Sequence, residues 1–512
     1  MKIPLSIRPH VAATALAVVG VAAAVATAGC GGTSPGSAAG GGGGAPEVTL
    51  TVDPHRAGRV IPPGFLGLGF EYRALADAAG TNPQAVDPVL EHLIQNVSPG
   101  QSPVLRIGGD TTDWAWWPVS GISRPPGIHY DLTPTWVAVT HTLAHNTGAR
   151  LILGINLEAD SRQLASAEAQ ALLSGIGSSA VMAFELGNEP ELYHSFGWYR
   201  TADGREVPGR PANYDFTTFE HEFSSLAGSL PHLPVAGPTT GGPWWEPDWP
   251  QFLQNEPQVR LATVHRYPLH ACSKQSSPIY PTVDHLLSPQ ASQGLAASTL
   301  PLVRLAHAHG IPLRIDEMNP TPCPARAHEL KSFAGALWAS DVLFQLAAAG
   351  VDGVNVQSST GGTHDLFVFG KSGGTWQAAV QPEYYGLLLF ARAAPAGSRL
   401  IAVSPGVPAP LHVWATRQET GGAVRVLLIN DGTKARVLRL RIPGLRGSAG
   451  LERLSAPDVT SQTGIELGGQ SFGSSTTTGQ LSGDRGTETV TRGSDGYVIP
   501  LPARSAALLT AR

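Results

Sequence analysis

The sequence predicts an α/β fold: a (β/α)8 TIM barrel with a C-terminal β-sandwich. Three observations point to it. Eight short apolar runs between residues 60 and 392 alternate with stretches long enough for helices. The runs lack strict polar/apolar alternation, as strands covered on both faces of a parallel sheet do. After about residue 395 the pattern turns to short alternating strands set off by Gly, Pro and Asp, which is how a sandwich reads.

Taken in order, the chain opens on an address. Lys2 and Arg8 precede an uncharged small-residue run from Val11 to Ala28, and Ala28-Gly29-Cys30 follows. Residues 1–30 thus read as an export signal of lipoprotein type, with Cys30 as the acylated residue, although Thr27 stands where such signals more often carry Leu. An uncleaved N-terminal anchor is the other reading. Residues 31–46 are Gly-rich and form a tether without enough apolar surface to fold. The barrel is expected over 60–392. Its strands are placed at 65–70, 104–107, 150–155, 181–186, 234–237, 261–264, 312–315 and 351–356, with helices at 134–147, 216–230, 295–309 and 328–349. An open doubly wound sheet is the competing arrangement, but no GxGxxG or GxxxxGK[ST] follows any strand. The sandwich is expected from residues 393–512 together with 47–59, whose strand at 48–52 is a candidate to join it. Residues 468–491, rich in Ser, Thr and Gly, read as an exposed loop.

Composition narrows the function classes. With 42% apolar residues and 11 Trp in 512, there is ample material for a core. The net charge of −5, without a Lys/Arg cluster, argues against nucleic acid as a partner. No CxxC, zinc-spaced His/Cys cluster or HExxH occurs, so neither metal nor cofactor is expected.

Enzymes built on this barrel carry their chemistry at the C-terminal ends of the strands. Glu185-Leu186-Gly187-Asn188-Glu189-Pro190 follows the fourth run, and Asp316-Glu317-Met318-Asn319-Pro320 the seventh. Glu189 and Glu317 would both face one barrel mouth. A pair of carboxyl groups is what glycosidic cleavage needs: one protonates the leaving oxygen, the other attacks the anomeric carbon or activates water. Five tryptophans (Trp114, Trp116, Trp117, Trp244 and Trp245) fall in loops after strands two and five, where they either pack the core or meet sugar faces.

The segments Leu105-Arg106-Ile107-Gly108-Gly109-Asp110-Thr111-Thr112-Asp113, Phe184 to Pro190 and Val264-His265-Arg266-Tyr267 resemble glycoside hydrolase family 79, the heparanase and β-glucuronidase family. The family lies within the retaining glycosidases whose acid/base follows strand four and whose nucleophile follows strand seven. The resemblance implies Glu189 as acid/base and Glu317 as nucleophile. Glu189 must hold its proton when substrate arrives, which calls for apolar surroundings or the charge of Glu317; Glu317 must stay ionised and needs donors, for which Tyr267 and Arg106 are candidates. Asn188 would donate to the sugar 2-hydroxyl, Asp113 would bind sugar hydroxyls, and His265 would orient its neighbours. Cys272 and Cys323, on loops after adjacent strands, are expected to form a disulfide, in keeping with an exported protein.

The match weakens past the nucleophile. Family members that bind glucuronic acid often have a Gly-rich stretch there; this chain has Asn319 to Arg326 with three prolines, which lack N–H donors. Arg326, or the backbone at Gly361-Gly362-Thr363, would have to meet a sugar carboxylate. The reading is therefore a retaining, β-glucuronidase-like glycoside hydrolase acting on a glycan and reaching a membrane only through its lipid. A neutral-sugar glycosidase such as a xylosidase or glucanase is the alternative. A non-catalytic carbohydrate-binding lipoprotein is the third.

Overall fold

The eight predicted runs pair into a closed parallel barrel. The computed structural model describes residues 47–322, 330–358, 365–418 and 422–512. Cys30, with the signal and tether, Cys323, Arg326 and Gly361 to Thr363 lie outside the described residues. The barrel strands, first to eighth, are Leu66–Glu71, Val104–Gly108, Arg150–Ile155, Val181–Leu186, Val235–Thr240, Val259–Arg266, Leu313–Met318 and Gly353–Ser358. Each is parallel to its neighbours, and the eighth closes on the first. The sixth and seventh strands run farther than the apolar pattern showed. His265 and Glu317 are strand residues, and they are direct partners in the sheet register.

The helices start where their caps dictate. Thr133 accepts the N–H of Trp136 at the head of Pro134–Thr147, Ser161 that of Leu164 before Arg162–Ile176, and Asp215 that of Thr218 before Phe216–Ala227. Phe333–Ala349 is apolar on every side and almost wholly buried, as a helix enclosed by protein must be. It is covered by the barrel on one side and the C-terminal sheet on the other; Phe344 stacks on Trp414 with ring centroids 5.6 Å apart.

The C-terminal part is a ten-stranded sheet. The long first strand, Glu47–Val60, lies inside it, third from one edge. It runs antiparallel to Ser398–Val403 and parallel to Arg436–Arg441, so both chain ends build this sheet. Along Val424–Asn430, Val424, Val426 and Leu428 enter the sheet's own core, while Leu427 and Ile429 pack into the barrel's. That double coverage is why the strand reads as a continuous apolar run. Residues 468–491 are mostly turns, as expected, but they return to the barrel. Asn96 donates to the Gly479 carbonyl at 2.8 Å, and Thr476 and Ala378 form a bridge. Among the described residues no helix is long and apolar enough to cross a membrane.

Candidate active site

Strands two, four, six and seven end in one polar constellation at the barrel mouth. Its hub is Arg106 of strand two, fully buried. Its Nη1 donates to Glu317 Oε2 at 2.5 Å, its Nη2 to Asn188 Oδ1 at 2.9 Å and its Nε to Glu185 Oε2 at 2.7 Å. Burial opposes the guanidinium charge, but the charges of Glu185, Glu317 and Asp316 outweigh it and raise the Arg106 pKa. The hydroxyl of Tyr267 donates to the other oxygen of Glu317. Burial, reinforced by the Glu317 charge, raises the Tyr267 pKa well above its ordinary value, so it remains a donor.

Glu189 and Glu317 converge. Together with His265 they offer atoms all within 4.8 Å of one another. Glu189 has φ +46°, in the left-handed region that a side chain enters only when its surroundings impose it. Its N–H is tied to the Thr239 carbonyl at 3.1 Å. His265 Nδ1 lies 2.8 Å from Glu189 Oε1. Burial alone would lower the His265 pKa; the charges of Glu317 and Asp316 and the bond to Glu189 win and push it up to about 10, so the ring is an imidazolium at neutral pH. The three side chains could in principle hold a cation. The Arg106 guanidinium and the His265 imidazolium already bring two positive charges to those oxygens, so a metal ion fits the site poorly.

Asp113 does not face the mouth. It is 2% exposed. One oxygen accepts the N–H groups of Leu157 and Glu158, the other that of Asn188 and the Tyr193 hydroxyl. The short helical turn at Asp110–Thr112 directs it inward. The expectation that Asp113 binds sugar hydroxyls is corrected accordingly: its acceptors are spent on holding Asn188 in place. Asp110, three residues earlier, is the carboxylate open to solvent there, and it accepts from Asn188 Nδ2 at 3.2 Å. The surrounding protein, together with the charges of Glu71, Glu189, Glu317 and Asp113, raises the Asp110 pKa well above its ordinary value. Glu71 ends the first strand and accepts from Thr111 N at 2.9 Å. Burial, then the Glu317 charge, pushes it up to about 6. The rule of taking the polar residue after each apolar run, applied to Leu66–Phe70, would have found Glu71. Nothing in the sequence separates Asp110 from Asp113.

Three further buried acids, Glu185, Asp316 and Glu191, stand on the segments that carry the pair. Glu185 and Asp316 are both inaccessible and meet at Arg106 Nε. Burial raises the Glu185 pKa well above its ordinary value despite Arg106, and the charge of Asp316 adds to the shift. Glu191 Oε1 accepts the N–H groups of Gly241 and Gly242, both at 2.6 Å. It thereby fixes the loop after strand five against the segment carrying Glu189.

Residues 413–508 match the family model described as the glycosyl hydrolase family 79 C-terminal beta domain. The resemblance to family 79 is borne out. Among solved structures, a 4-O-α-L-rhamnosyl-β-D-glucuronidase from Fusarium oxysporum aligns at a TM-score of 0.70 and 18% identity, over 90% of this chain and 100% of that one. An α-L-arabinofuranosidase from Thermotoga maritima aligns at 0.61 and 16%, over 90% and 99%. The catalytic domain of a GH30 xylanase C from Talaromyces cellulolyticus aligns at 0.52 and 13%, over 91% and 100%. A sequence search of curated proteins found no match. The family 79 match thus covers the β-domain, and the solved structures share the fold of a barrel followed by a β-domain.

Proposed function

We propose that the protein is a retaining β-glycoside hydrolase of β-glucuronidase type. The observation that carries this is the approach of one Glu189 carboxyl oxygen to within 4.8 Å of a Glu317 carboxyl oxygen, each group having its own hydrogen-bonding partners. Retaining enzymes keep their two carboxyl groups about 5–5.5 Å apart, whereas inverting ones need roughly 6.5–9.5 Å to admit a water. In this reading Glu317 Oε attacks the anomeric carbon while Glu189 passes its proton to the glycosidic oxygen, whose bond to that carbon breaks. A water then gives its proton back to Glu189 and attacks the same carbon, releasing the sugar and restoring Glu317. Tyr267 and Arg106 hold Glu317 as the anion. His265 occupies Glu189 Oε1, which leaves Oε2 to carry the proton. Asn188, Asp110 and Glu71 meet the sugar hydroxyls. Proton NMR of the first-formed anomer from an aryl β-glycoside tests the stereochemistry; initial release of the α-anomer would overturn it.

The sugar is proposed as glucuronic acid, in keeping with the motifs after strands two and four and with the activity named for the Fusarium structure. One observation favours the neutral-sugar alternative: two carboxyl groups, Glu71 and Asp110, stand at the mouth that a uronate carboxylate must enter. Turnover of a p-nitrophenyl β-xyloside or β-glucoside, with none of the glucuronide, would decide for it.

Export and acylation at Cys30 are proposed from the leader alone. Replacing Cys30 by Ala should release the protein from the membrane fraction; unchanged fractionation would remove the lipid anchor. The Cys272–Cys323 disulfide is proposed on the neighbouring loops that carry these residues. Leu269 N donates to Pro320 O at 3.1 Å and Ala271 N to Thr321 Oγ1 at 3.0 Å, which brings the two loops together beside Cys272 and two residues short of Cys323. Non-reducing peptide mapping tests it.

A further inference from the structure

The loop after strand five presents an aromatic surface beside the acid/base. A side-chain carbon at Gly241 would meet Glu189 Oε1 at 2.1 Å, so this backbone lies against the Glu189 carboxyl group. A side-chain carbon at the next residue, Gly242, would meet the six-membered ring of Trp244 at 2.2 Å, so the indole lies over that backbone. Trp245 is anchored inward, with its ring 5.3–5.9 Å from those of Phe219, Phe216 and Tyr214. With Trp245 pinned in and Gly241 and Gly242 held by Glu191, Trp244 is kept outward and is 55% exposed. Phe196, on the adjoining loop after strand four, is 65% exposed. Burying apolar rings is favourable, so two exposed ones on adjacent loops at one barrel mouth, one of them on a rigid turn, call for an occupant.

Cleavage fixes which occupant. The acid delivers its proton to the oxygen that leaves with the departing group. Whatever is bonded to that oxygen must therefore lie on the Glu189 side of the reacting carbon. We propose that Trp244 is the platform of the leaving-group subsite and that it takes a flat ring by its apolar face: the C–H face of a second sugar or an aryl group. This assignment rests on the glycosidase reading above and goes beyond it, since nothing in that reading says what lies past the scissile oxygen. The subsite is preorganised. The loop needs no ordering when substrate binds, so stacking appears in the affinity for the departing ring.

Three substrates sharing the glycone that the wild type accepts test this: a p-nitrophenyl β-glycoside, a β-linked disaccharide and the glycosyl fluoride, whose leaving group carries no ring. Trp244→Ala should lower kcat/KM roughly tenfold for ring-bearing substrates, with the fluoride unchanged within about twofold. Trp244→Phe should recover most of the loss. Gly242→Ala should behave like Trp244→Ala, because the added carbon displaces the indole while φ −90° at Gly242 accommodates alanine. Loss on the disaccharide alone identifies a sugar as the occupant, and loss on the nitrophenyl glycoside alone an aryl group. Equal losses on all three substrates, or none on either ring-bearing one, would overturn the proposal. A wild type inert on every glycoside would instead sink the parent reading, and the subsite with it.

Discussion

Glu189 and Glu317 differ in their partners, and the difference sets what each substitution does. Glu317 is held by Tyr267 and Arg106, two donors that favour its anion. Glu317→Gln should abolish turnover of every substrate, read as product release over hours. Glu189→Gln removes the proton donor and should cost roughly 10²–10⁴-fold on substrates with poor leaving groups. On a dinitrophenyl glycoside, which leaves without help, the first step should be nearly unimpaired, as a pre-steady-state burst would show. Gly241→Ala tests the close approach: its new carbon falls on Glu189 Oε1, so the carboxyl group must move. Displacement by about 1 Å costs on the order of 10²-fold in rate. Activity should drop while the melting temperature holds. These acids were legible in the sequence because each follows an apolar run. Asp113 was misread because run boundaries do not say which way a short helical turn points the next side chain.

At the scale of elements, the barrel helix Phe333–Ala349 is joined to the strand Leu411–Gln418 by a buried charge relay. His412 lies 3.2 Å from Asp341 and 3.2 Å from Asp431, and Trp414 donates to Asp341 at 2.7 Å. Burial pulls the His412 pKa down, but bonds to the two carboxylates prevail and push it from its ordinary 6.5 up to about 10. Its folded value is the higher one. Its stabilising contribution is therefore complete below pH 6.5 and is lost as pH rises through about 10. His412→Gln leaves two acids buried without their cation and should cost about 3–5 kcal/mol at neutral pH. The wild-type advantage in denaturant unfolding should shrink between pH 8 and 10. Periodicity gave these elements their type and order, and the helix at 134–147 its bounds, because caps and apolar spacing are local. It did not extend strands six and seven to His265 and Glu317, since polar residues at a barrel mouth break the apolar run before the hydrogen-bonded ladder ends.

At the scale of the molecule, barrel and sheet share one apolar core: Leu427, Ile429, Leu454 and Leu508 of the C-terminal sheet pack with the barrel. A truncated chain covering 60–392 should be insoluble or molten by near-ultraviolet circular dichroism, because it would expose that face. At the mouth, burial and the Glu317 charge push Glu71 up to about 6. As pH falls below 6, Glu71 takes up a proton and the mouth loses a negative charge. Inhibition by free glucuronate should therefore tighten from pH 7.5 to 5, while that by a neutral sugar such as xylose stays flat. A pH-independent glucuronate constant would count against the uronate reading. The amino-acid order by itself determined the barrel, the β-domain that follows it and the pair of glutamates, since hydrophobic period and strand-end position are written residue by residue. Only the three-dimensional packing decided that Asp110 rather than Asp113 is open to solvent, that Arg106 donates to Glu317, Asn188 and Glu185 at once, and that the first strand lies inside the last sheet. Those outcomes depend on contacts between residues tens to hundreds apart, which no local pattern encodes.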